Sequence, residues 1–166
     1  MRYRTPASRA SVFNGAAGLP ARKAGHPPSA KRYRLDDQVG FLLRRVSQRH
    51  VAIFARQMEK DITPTRWATL AKLYEEGPTT QNRLGRLTAM DAATIKGVVD
   101  RLTKRHLIET RADPDDARRR VVALTGAGQS LVERSLAHAA AISRETLEPL
   151  STREQASLLE LLRKLA

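Results

Sequence analysis

Residues 80–125 have the sequence TQNRLGRLTAMDAATIKGVVDRLTKRHLIETRADPDDARRRVVALT. Thr80 is suited to cap a short helix, and Asp91 is suited to cap a second helix that runs to about Arg105. Thr88-Ala89-Met90 forms a tight connection between the two. Two helices joined by a turn of three or four residues predict a helix-turn-helix.

The period of the apolar residues changes from 3.6 to 2 after this second helix. Leu107–Arg111 and Val121–Leu124 have the pattern of short strands, and residues 112–120 between them are charged and turn-forming. The sequence therefore predicts a β-hairpin, or wing, directly after the helix-turn-helix.

Longer amphipathic helices are predicted on both sides of this unit. Before it, an apolar stripe predicts a helix over about residues 36–60, and Thr63-Pro64 begins another helix that Gly77-Pro78 ends. The stripe consists of Val39, Leu42, Leu43, Val46, His50, Ile53 and Phe54.

Two further helices are predicted after the hairpin. Thr125 begins a helix that runs to about Leu147, and the capping box of residues 151–154 begins a last, leucine-rich helix. The predicted fold class is mainly α with a small β-hairpin wing, that is, a winged helix-turn-helix with long N- and C-terminal helices.

The positive charge is concentrated at the N-terminus. The net charge is +13, and residues 1–34 supply eight Lys or Arg with no Asp or Glu. Prolines and glycines interrupt this segment, which predicts a disordered basic arm. The arm either adds non-specific contacts to phosphates or is a passive tail or an over-extended start.

Composition argues against several classes of protein. The absence of cysteine excludes disulfides and cysteine-ligated zinc. No stretch approaches the roughly 18 apolar residues of a membrane span, so we expect a cytoplasmic protein. The four histidines lack metal-ligand spacing, and no catalytic motif is present. We therefore expect no enzyme, no metal and no cofactor.

The second helix of the helix-turn-helix is the candidate recognition helix. Small side chains near its start allow the backbone to approach base edges. A mid-helix glycine costs about 1 kcal/mol of stability relative to alanine, so the presence of Gly97 indicates a functional requirement such as close approach. A helical hairpin with solvated charges is the alternative. The candidate DNA contacts in the two helices are Thr80, Gln81, Asn82, Ala92, Ala93, Thr94, Lys96, Gly97 and Arg101.

Three consecutive arginines, Arg118, Arg119 and Arg120, stand at the tip of the hairpin and complete the candidate DNA contacts. Arginine suits a narrow and strongly negative minor groove. Asp116 is placed two residues before Arg118, where it could hold the guanidinium in one orientation. A surface ion-pair cluster is the alternative, but it does not explain why the cluster directly follows a helix-turn-helix.

The chain from Leu35 to Ala166 resembles the MarR family of regulators. The wing pattern of that family, Asp-x-Arg followed by a strand ending in Leu-Thr, is present as Asp116-Ala117-Arg118 and Leu124-Thr125. Residues 81–102 resemble the branch that often represses aromatic-acid catabolism. The family usually has glycine at the position of His106, directly after the recognition helix. A left-handed backbone conformation is common at that position.

The resemblance implies a homodimer on double-stranded DNA. Its terminal helices, within residues 35–60 and 126–166, would interlock, and the two winged helices of residues 63–125 would dock on a pseudo-palindromic operator. The apolar stripe of the first helix and the leucines of the last agree with this arrangement, because so small a DNA-binding module cannot cover them all.

The resemblance also implies that a small aromatic or carboxylate effector, coenzyme A thioesters included, releases the DNA. It would bind between the dimer helices and the winged helix. His50 is alternatively a satisfied core or interface residue, and Trp67 and Tyr74 are alternatively core residues. The candidate effector contacts are Phe41, Arg45, Arg49, His50, Phe54, Trp67 and Tyr74.

Two other functions fit the high positive charge. One is a non-specific architectural nucleic-acid-binding protein, whose binding would collapse at moderate salt. The other is a protein of anionic membrane surfaces. We expect no membrane partner and favour a ligand-responsive dimeric repressor, because the order of helix, turn, helix and hairpin is more specific than the charge.

Overall fold

The computed structural model describes residues 33–113, 116, 118 and 120–166. The predicted basic arm, residues 1–34, lies almost entirely outside the described residues, and Arg119 of the hairpin also lies outside them. Residues Leu35–Ala166 form one unit.

Helices dominate this unit, and a single hairpin interrupts their succession. The architecture confirms the predicted fold class of a mainly α winged helix-turn-helix. The elements are α1 (Val39–Gln57), α2 (Pro64–Glu76), α3 (Gln81–Leu87), α4 (Ala92–Lys104), β1 (Ile108–Ala112), β2 (Arg120–Leu124), α5 (Gly126–Leu147) and α6 (Thr152–Leu165).

Capping residues set the starts of α2 and α6, as predicted. Thr63 accepts a hydrogen bond from the backbone N–H of Arg66, and Pro64 occupies the first turn, where a helix needs no N–H donor. The hydroxyl and the backbone N–H of Ser151 donate to the Glu154 carboxylate at 2.7 and 2.8 Å. These two bonds lower the pKa of Glu154.

Helix α1 is shorter than the predicted span of residues 36–60. A 3₁₀ turn, Leu35–Asp37, precedes it, and Met58 leaves the helix with extended backbone angles of φ −86° and ψ 153°. The Met58 side chain is buried in the core. The helix thus ends at a residue whose apolar side chain is still part of the core. Because the apolar pattern continues past the helix end, the pattern alone does not show where the helix ends.

The hairpin is antiparallel and is extended by one further contact. Ile108 lies opposite Leu124, and Ala112 lies opposite Arg120, so each strand is offset by one residue from its predicted start. The backbone of Thr79 pairs with Val122 through bonds of 3.0 and 2.8 Å. This pairing, which the sequence did not predict, fixes the start of the helix-turn-helix to the wing.

One apolar core joins the winged helix to α1 and α5. Its fully buried members from the winged helix include Leu70, Leu84, Ile95, Leu102, Ile108 and Val122. Ile53 of α1 and Leu131, Val132 and Ile142 of α5 pack into the same cluster. Because a close-packed core transmits displacement, α1 and α5 are mechanically continuous with the DNA-binding helices.

The apolar faces of α6 and of the first half of α1 are exposed. No residue of α6 is buried, and Leu161 and Leu165 are 56% and 76% exposed. Val39 near the start of α1 is 67% exposed, whereas Ile53 and Phe54 near its end are buried. Contiguous exposed apolar surface of this kind marks an interface. Among the described residues, no helix is both long and apolar enough to cross a membrane.

A left-handed residue closes the end of α4. His106 has φ 56°, its N–H donates to the carbonyl of Thr103 at 2.9 Å, and the N–H of Leu107 donates to the carbonyl of Leu102 at 3.1 Å. These are the two bonds of a Schellman motif. The expectation of a left-handed conformation at His106 is confirmed.

Helix α5 begins against this same turn. The N–H of Thr125 donates to the carbonyl of Leu107 at 3.1 Å, and its hydroxyl donates to the carbonyl of His106 at 2.7 Å. A Cβ at Gly128 would lie only 1.9 Å from the Leu107 carbonyl oxygen, so this position requires glycine. We call residues 106–107 and 125–128 the wing junction, because the hairpin both begins and ends there.

The left-handed residue yields a prediction about stability. Replacing His106 by glycine should raise the free energy of unfolding by about 0.5–1 kcal/mol, because glycine adopts a positive φ without a Cβ penalty. Chemical denaturation measures the change. The matched control is Lys104→Gly at the last residue of α4, where φ is not positive, which should lower stability by up to about 1 kcal/mol. A loss of stability in both variants would contradict the strain argument.

Candidate functional site

Helix α4 has one buried and one exposed face. Its buried face consists of Ile95, Val98, Val99 and Leu102. At about 100° per residue, the opposite face carries Ala93, Lys96, Gly97, Asp100, Arg101 and Lys104. All of these except the half-buried Gly97 are exposed.

Asp91 caps the start of α4. Its carboxylate accepts bonds from the backbone N–H of Thr94 at 2.7 Å and from the Thr94 hydroxyl at 3.0 Å. The backbone bond, followed by the hydroxyl bond, lowers the pKa of Asp91. Because the hydroxyl proton is used in this contact, Thr94 presents an acceptor oxygen and a methyl group to solvent.

Two of the three cations on the exposed face, Lys96 and Arg101, make only weak local contacts. The ammonium of Lys96 lies 3.6 Å from the Asp100 carboxylate. The guanidinium of Arg101 lies back along the helix, 3.4 Å from the carbonyl oxygen of Gly97, and a Cβ at Gly97 would lie 3.4 Å from the same nitrogen. Exposed contacts contribute about 0–1 kcal/mol, so both side chains can exchange them for phosphates or bases.

The start of α3 contributes three further candidate residues. Thr80 is the N-cap and accepts a bond from the backbone N–H of Arg83 at 3.3 Å. Thr80 and Gln81 are half-buried, and Asn82 is exposed. The hydroxyl of Thr80 therefore has a structural role as a helix cap, whereas the exposed side chain of Asn82 can contact a ligand.

Helices α3 and α4 approach each other closely at Gly85. A Cβ at this position would lie 3.2 Å from both the Ile95 side chain and the carbonyl oxygen of Met90. Ala89, with φ 52°, supplies the left-handed residue of the connecting turn. Asn82 at the start of α3 and Ala92 at the start of α4 line the same pocket beside Gly85.

In the wing, the side chain of Asp116 contacts the main chain of Arg118. The Asp116 carboxylate accepts a bond from the backbone N–H of Arg118 at 3.0 Å. The spacing predicted that the carboxylate would hold the guanidinium, and the carboxylate instead bonds to the main chain of Arg118. Both side chains are exposed.

Arg120 lies on the hairpin itself. Its guanidinium donates to the carbonyl oxygen of Thr110 on the neighbouring strand at 3.0 Å. Of the three consecutive arginines, Arg120 thus ties the two strands together, Arg118 stands exposed at the turn, and Arg119 lies outside the described residues.

Lys104 also lies on the exposed face of α4 and is not among the DNA contacts predicted from the sequence. It follows Gly97 by seven residues and Arg101 by three, and both spacings place a residue on the same face of a helix. The helical period was therefore sufficient to find this cation.

The candidate effector residues do not form one pocket within a protomer. Arg45 and His50 are five residues apart on α1, which separates them by about 140° around the helix axis. The Arg45 guanidinium lies 5.9 Å from the centre of the Phe41 ring and 3.9 Å from the Asp36 carboxylate. His50 faces α5 instead, where its Nδ1 lies 2.9 Å from the hydroxyl oxygen of Thr146.

Arg49 is engaged with the end of α5. Its two terminal nitrogens donate to the carbonyl oxygens of Thr146 and Glu145 at 2.6 and 3.0 Å. Carbonyls in the last turn of a helix lack intrahelical partners, and a cation there also complements the helix dipole. These contacts give Arg49 a structural role between α1 and α5.

Three of the aromatic candidates, Phe54, Trp67 and Tyr74, lie in different surroundings. Phe54 is buried in the core and also lines a groove of about 390 Å³ between the end of α1 and the start of α2, together with Met58 and Arg66. Trp67 is half-buried and packs against the core. Tyr74 is 40% exposed and lines a separate cleft of about 350 Å³ beside the wing.

The arrangement defines a class of protein. A helix-turn-helix whose second helix exposes cations and small residues, followed directly by an antiparallel hairpin, is the architecture of winged-helix DNA-binding proteins. No cluster of side chains suited to holding a metal ion is found in the part of the chain that the structure describes.

Comparison with known proteins gives the family. Residues 62–119 match the model of the MarR family. The transcriptional repressor NicR of Pseudomonas putida is 40% identical over 134 residues, which cover 80% of this chain and 85% of NicR.

Two solved structures have the same fold. A probable transcriptional regulator from Pseudomonas aeruginosa is 56% identical, with a TM-score of 0.77 over 80% of this chain and 100% of the other. BpsR of Bordetella bronchiseptica, whose DNA binding is regulated by 6-hydroxynicotinic acid, is 37% identical, with a TM-score of 0.76 over 80% of this chain and 96% of BpsR.

The chain belongs to the MarR family and is a DNA-binding transcriptional regulator. The resemblance seen in the sequence is thereby confirmed. The relatives are named as regulators and repressors, which favours this function over a non-specific architectural protein.

The cap of α4 yields a prediction about pH. Because the folded-state pKa of Asp91 is lowered, the stabilisation from its charge is complete above the ordinary value of 3.8 and is lost as the pH falls through the folded-state pKa. Asp91→Ser keeps a hydrogen-bonding cap without the charge. The stability advantage of the natural protein over this variant should therefore be largest near neutral pH and shrink below pH 3.8.

Urea denaturation of both proteins over this pH range measures the advantage. Asp91→Ala, which removes cap and charge together, should be less stable than Asp91→Ser at every pH. An advantage that stays constant with pH would show that the charge of Asp91 does not contribute.

Proposed function

We propose that the protein is a homodimeric repressor that binds a pseudo-palindromic operator and is released by a small aromatic or carboxylate effector. The observation that carries the proposal is the exposed face of α4, whose cations and small residues lie next to a hairpin bearing the exposed Arg118. Such a regulator would act in the cytoplasm and without catalysis.

The interface assigns different tasks to its residues. Ala92, Ala93 and Gly97 permit close approach of α4 to the major groove, and Thr94 offers an acceptor and a methyl group to base edges. Lys96 and Arg101 reach bases or phosphates, with Gln81 and Asn82 at the start of α3 as flanking contacts. Arg118 enters the minor groove, and Arg120 supports the hairpin behind it.

A second copy of the chain would cover the exposed apolar faces of α1 and α6. A two-fold dimer presents two recognition helices to successive major grooves about 34–36 Å apart, which matches a palindromic site. In such a dimer, α1 residues of one protomer that lie far apart around the helix can face a shared site together with residues of the partner.

The effector proposal follows from the relatives and from the polar residues of α1. BpsR responds to 6-hydroxynicotinic acid, an aromatic acid, and NicR is named as a repressor. Arg45 is exposed and could bind a carboxylate, and His50 is half-buried and could bind a second polar group of the same ligand. Phe41, whose ring centre lies 5.9 Å from the Arg45 guanidinium, would contact the ring of that ligand.

Footprinting on genomic fragments tests DNA recognition. A discrete palindromic footprint that persists at about 150–200 mM salt supports the repressor proposal. Uniform protection without a preferred sequence, or binding that collapses at this salt, would instead favour the architectural alternative.

The wing arginine should contribute to operator affinity. Arg118→Ala removes a guanidinium from the minor groove and should weaken operator binding by roughly tenfold, with the dimer intact. Fluorescence anisotropy measures the affinity, and sedimentation velocity measures the oligomeric state. The matched control is Arg111→Ala in β1, an exposed arginine outside the tip. Unchanged affinity of Arg118→Ala would remove the wing from the mechanism.

The apolar face of α6 should hold the dimer together. A variant with Leu161→Glu and Leu165→Glu places two charges on that face and should sediment as a monomer at micromolar concentration, because burying unpaired charges in an apolar interface is strongly unfavourable. Arg163→Glu lies on the opposite face of the helix and should remain dimeric. A dimer in both variants would place the interface elsewhere.

A further inference from the structure

The hydroxyl of Thr146 joins two hydrogen bonds at the contact between α1 and α5. Its oxygen lies 2.8 Å from the carbonyl oxygen of Ile142, one turn earlier in α5, and 2.9 Å from Nδ1 of His50 in α1. The two contacts share one hydroxyl group, which has a single proton.

The position of that proton determines the tautomer of His50. A carbonyl oxygen can only accept, so the bond to Ile142 uses the proton of Thr146. The Thr146 oxygen then has only lone pairs to offer His50, and Nδ1 must be the donor. In the neutral imidazole, Nδ1 therefore carries the hydrogen, and Nε2 carries a lone pair.

Neighbouring contacts hold this arrangement in place. Arg49 binds the carbonyl oxygens of Glu145 and Thr146, and the Glu145 carboxylate is bound by Arg56 and Gln57 of α1. The end of α5 is thus fixed to α1 on both sides of the His50 contact, so the ring and the hydroxyl keep their relative positions.

The remaining nitrogen of His50 is available for a ligand. Nε2 has no hydrogen-bond partner among the described residues, and the side chain is only half-buried. A neutral ring in this tautomer accepts a hydrogen bond at Nε2 and cannot donate one there. A carboxylate at Nε2 would require the protonated ring, whereas a hydroxyl or N–H group binds the neutral ring directly.

We propose that Thr146 is a positioning residue that fixes His50 as the Nδ1–H tautomer, so that His50 selects effectors carrying a hydroxyl or N–H donor. The inference rests on the proposed role of His50 as an effector contact. The carboxylate of such an effector would bind elsewhere, with an arginine such as Arg45. The ligand class is then a hydroxylated or N–H-bearing aromatic acid rather than a plain one.

Nitrogen NMR tests the tautomer without any effector. The ¹⁵N shifts of the histidine rings, recorded at about pH 8.5 so that histidines are neutral, separate N–H nitrogens from lone-pair nitrogens. The signals of His50 are those missing from His50→Gln. We expect Nδ1–H in the natural protein, loss of this preference in Thr146→Val, and its return in Thr146→Ser. An Nε2–H ring in the natural protein would overturn the proposal.

Calorimetric titration tests the selectivity with two probes: 6-hydroxynicotinic acid, whose pyridone tautomer carries a ring N–H donor, and nicotinic acid, whose ring nitrogen can only accept a hydrogen bond. The natural protein and Thr146→Ser should bind the hydroxylated acid about tenfold more tightly. In Thr146→Val the ratio should fall to about threefold or less, because Nε2 can then carry the hydrogen and donate it to the acceptor nitrogen of nicotinic acid. Equal affinities in the natural protein, or the same ratio in all three proteins, would overturn the selectivity.

The two levels of the proposal fail in different ways. If neither acid binds the natural protein while the operator footprint is intact, the aromatic-acid effector of the proposed function is wrong and the selectivity falls with it. If both acids bind and release DNA but the ratio does not depend on Thr146, the proposed function stands and the inference about Thr146 is wrong.

Discussion

The arrangement of the DNA-binding surface depends on two backbone carbonyls at the wing junction, those of His106 and Leu107. Thr125 donates to both, from its hydroxyl and its N–H, and Gly128 allows α5 to approach the second within a distance that no side chain permits. The recognition helix ends, the hairpin begins and ends, and the long helix α5 begins within this one cluster of bonds. A change in the direction of α5 therefore alters the position of the wing and of α4 together.

Local chemistry explains why much of the fold was predictable. Thr63-Pro64, Asp91, Thr125 and Ser151 with Glu154 each satisfy the unpaired N–H groups of a helix start, and the structure begins a helix at every one of them. The change of period after residue 105 located the hairpin to within one residue. The left-handed residue at position 106 was expected from the family pattern, which usually has glycine there, and the Schellman ending of α4 requires that conformation whatever side chain is present.

The contacts that the sequence did not show join residues far apart in the chain. The pairing of Thr79 with Val122 and the contact of His50 with Thr146 span 43 and 96 residues, and neither has a local pattern. Arg49 was expected to face a ligand, and the structure places it on the last carbonyls of α5. An arginine on a helix surface has the same sequence pattern in both roles, so only the tertiary arrangement distinguishes them. The main-chain contact of Asp116 is a similar case, since spacing alone does not specify which group of Arg118 it binds.

The bond from Arg120 to Thr110 has a consequence for how such a regulator can change. Together with the pairing of Thr79 and Val122, it ties the strands together along the ladder between Thr110 and Arg120, so the geometry of the paired strands does not rely on the length or composition of the tip. Exposed tips held by ordered strands tolerate insertion and replacement. The segment between Ala112 and Arg120 is thus a replaceable module, and exchanging it between relatives offers a route to new operator preferences that leaves the recognition helix untouched.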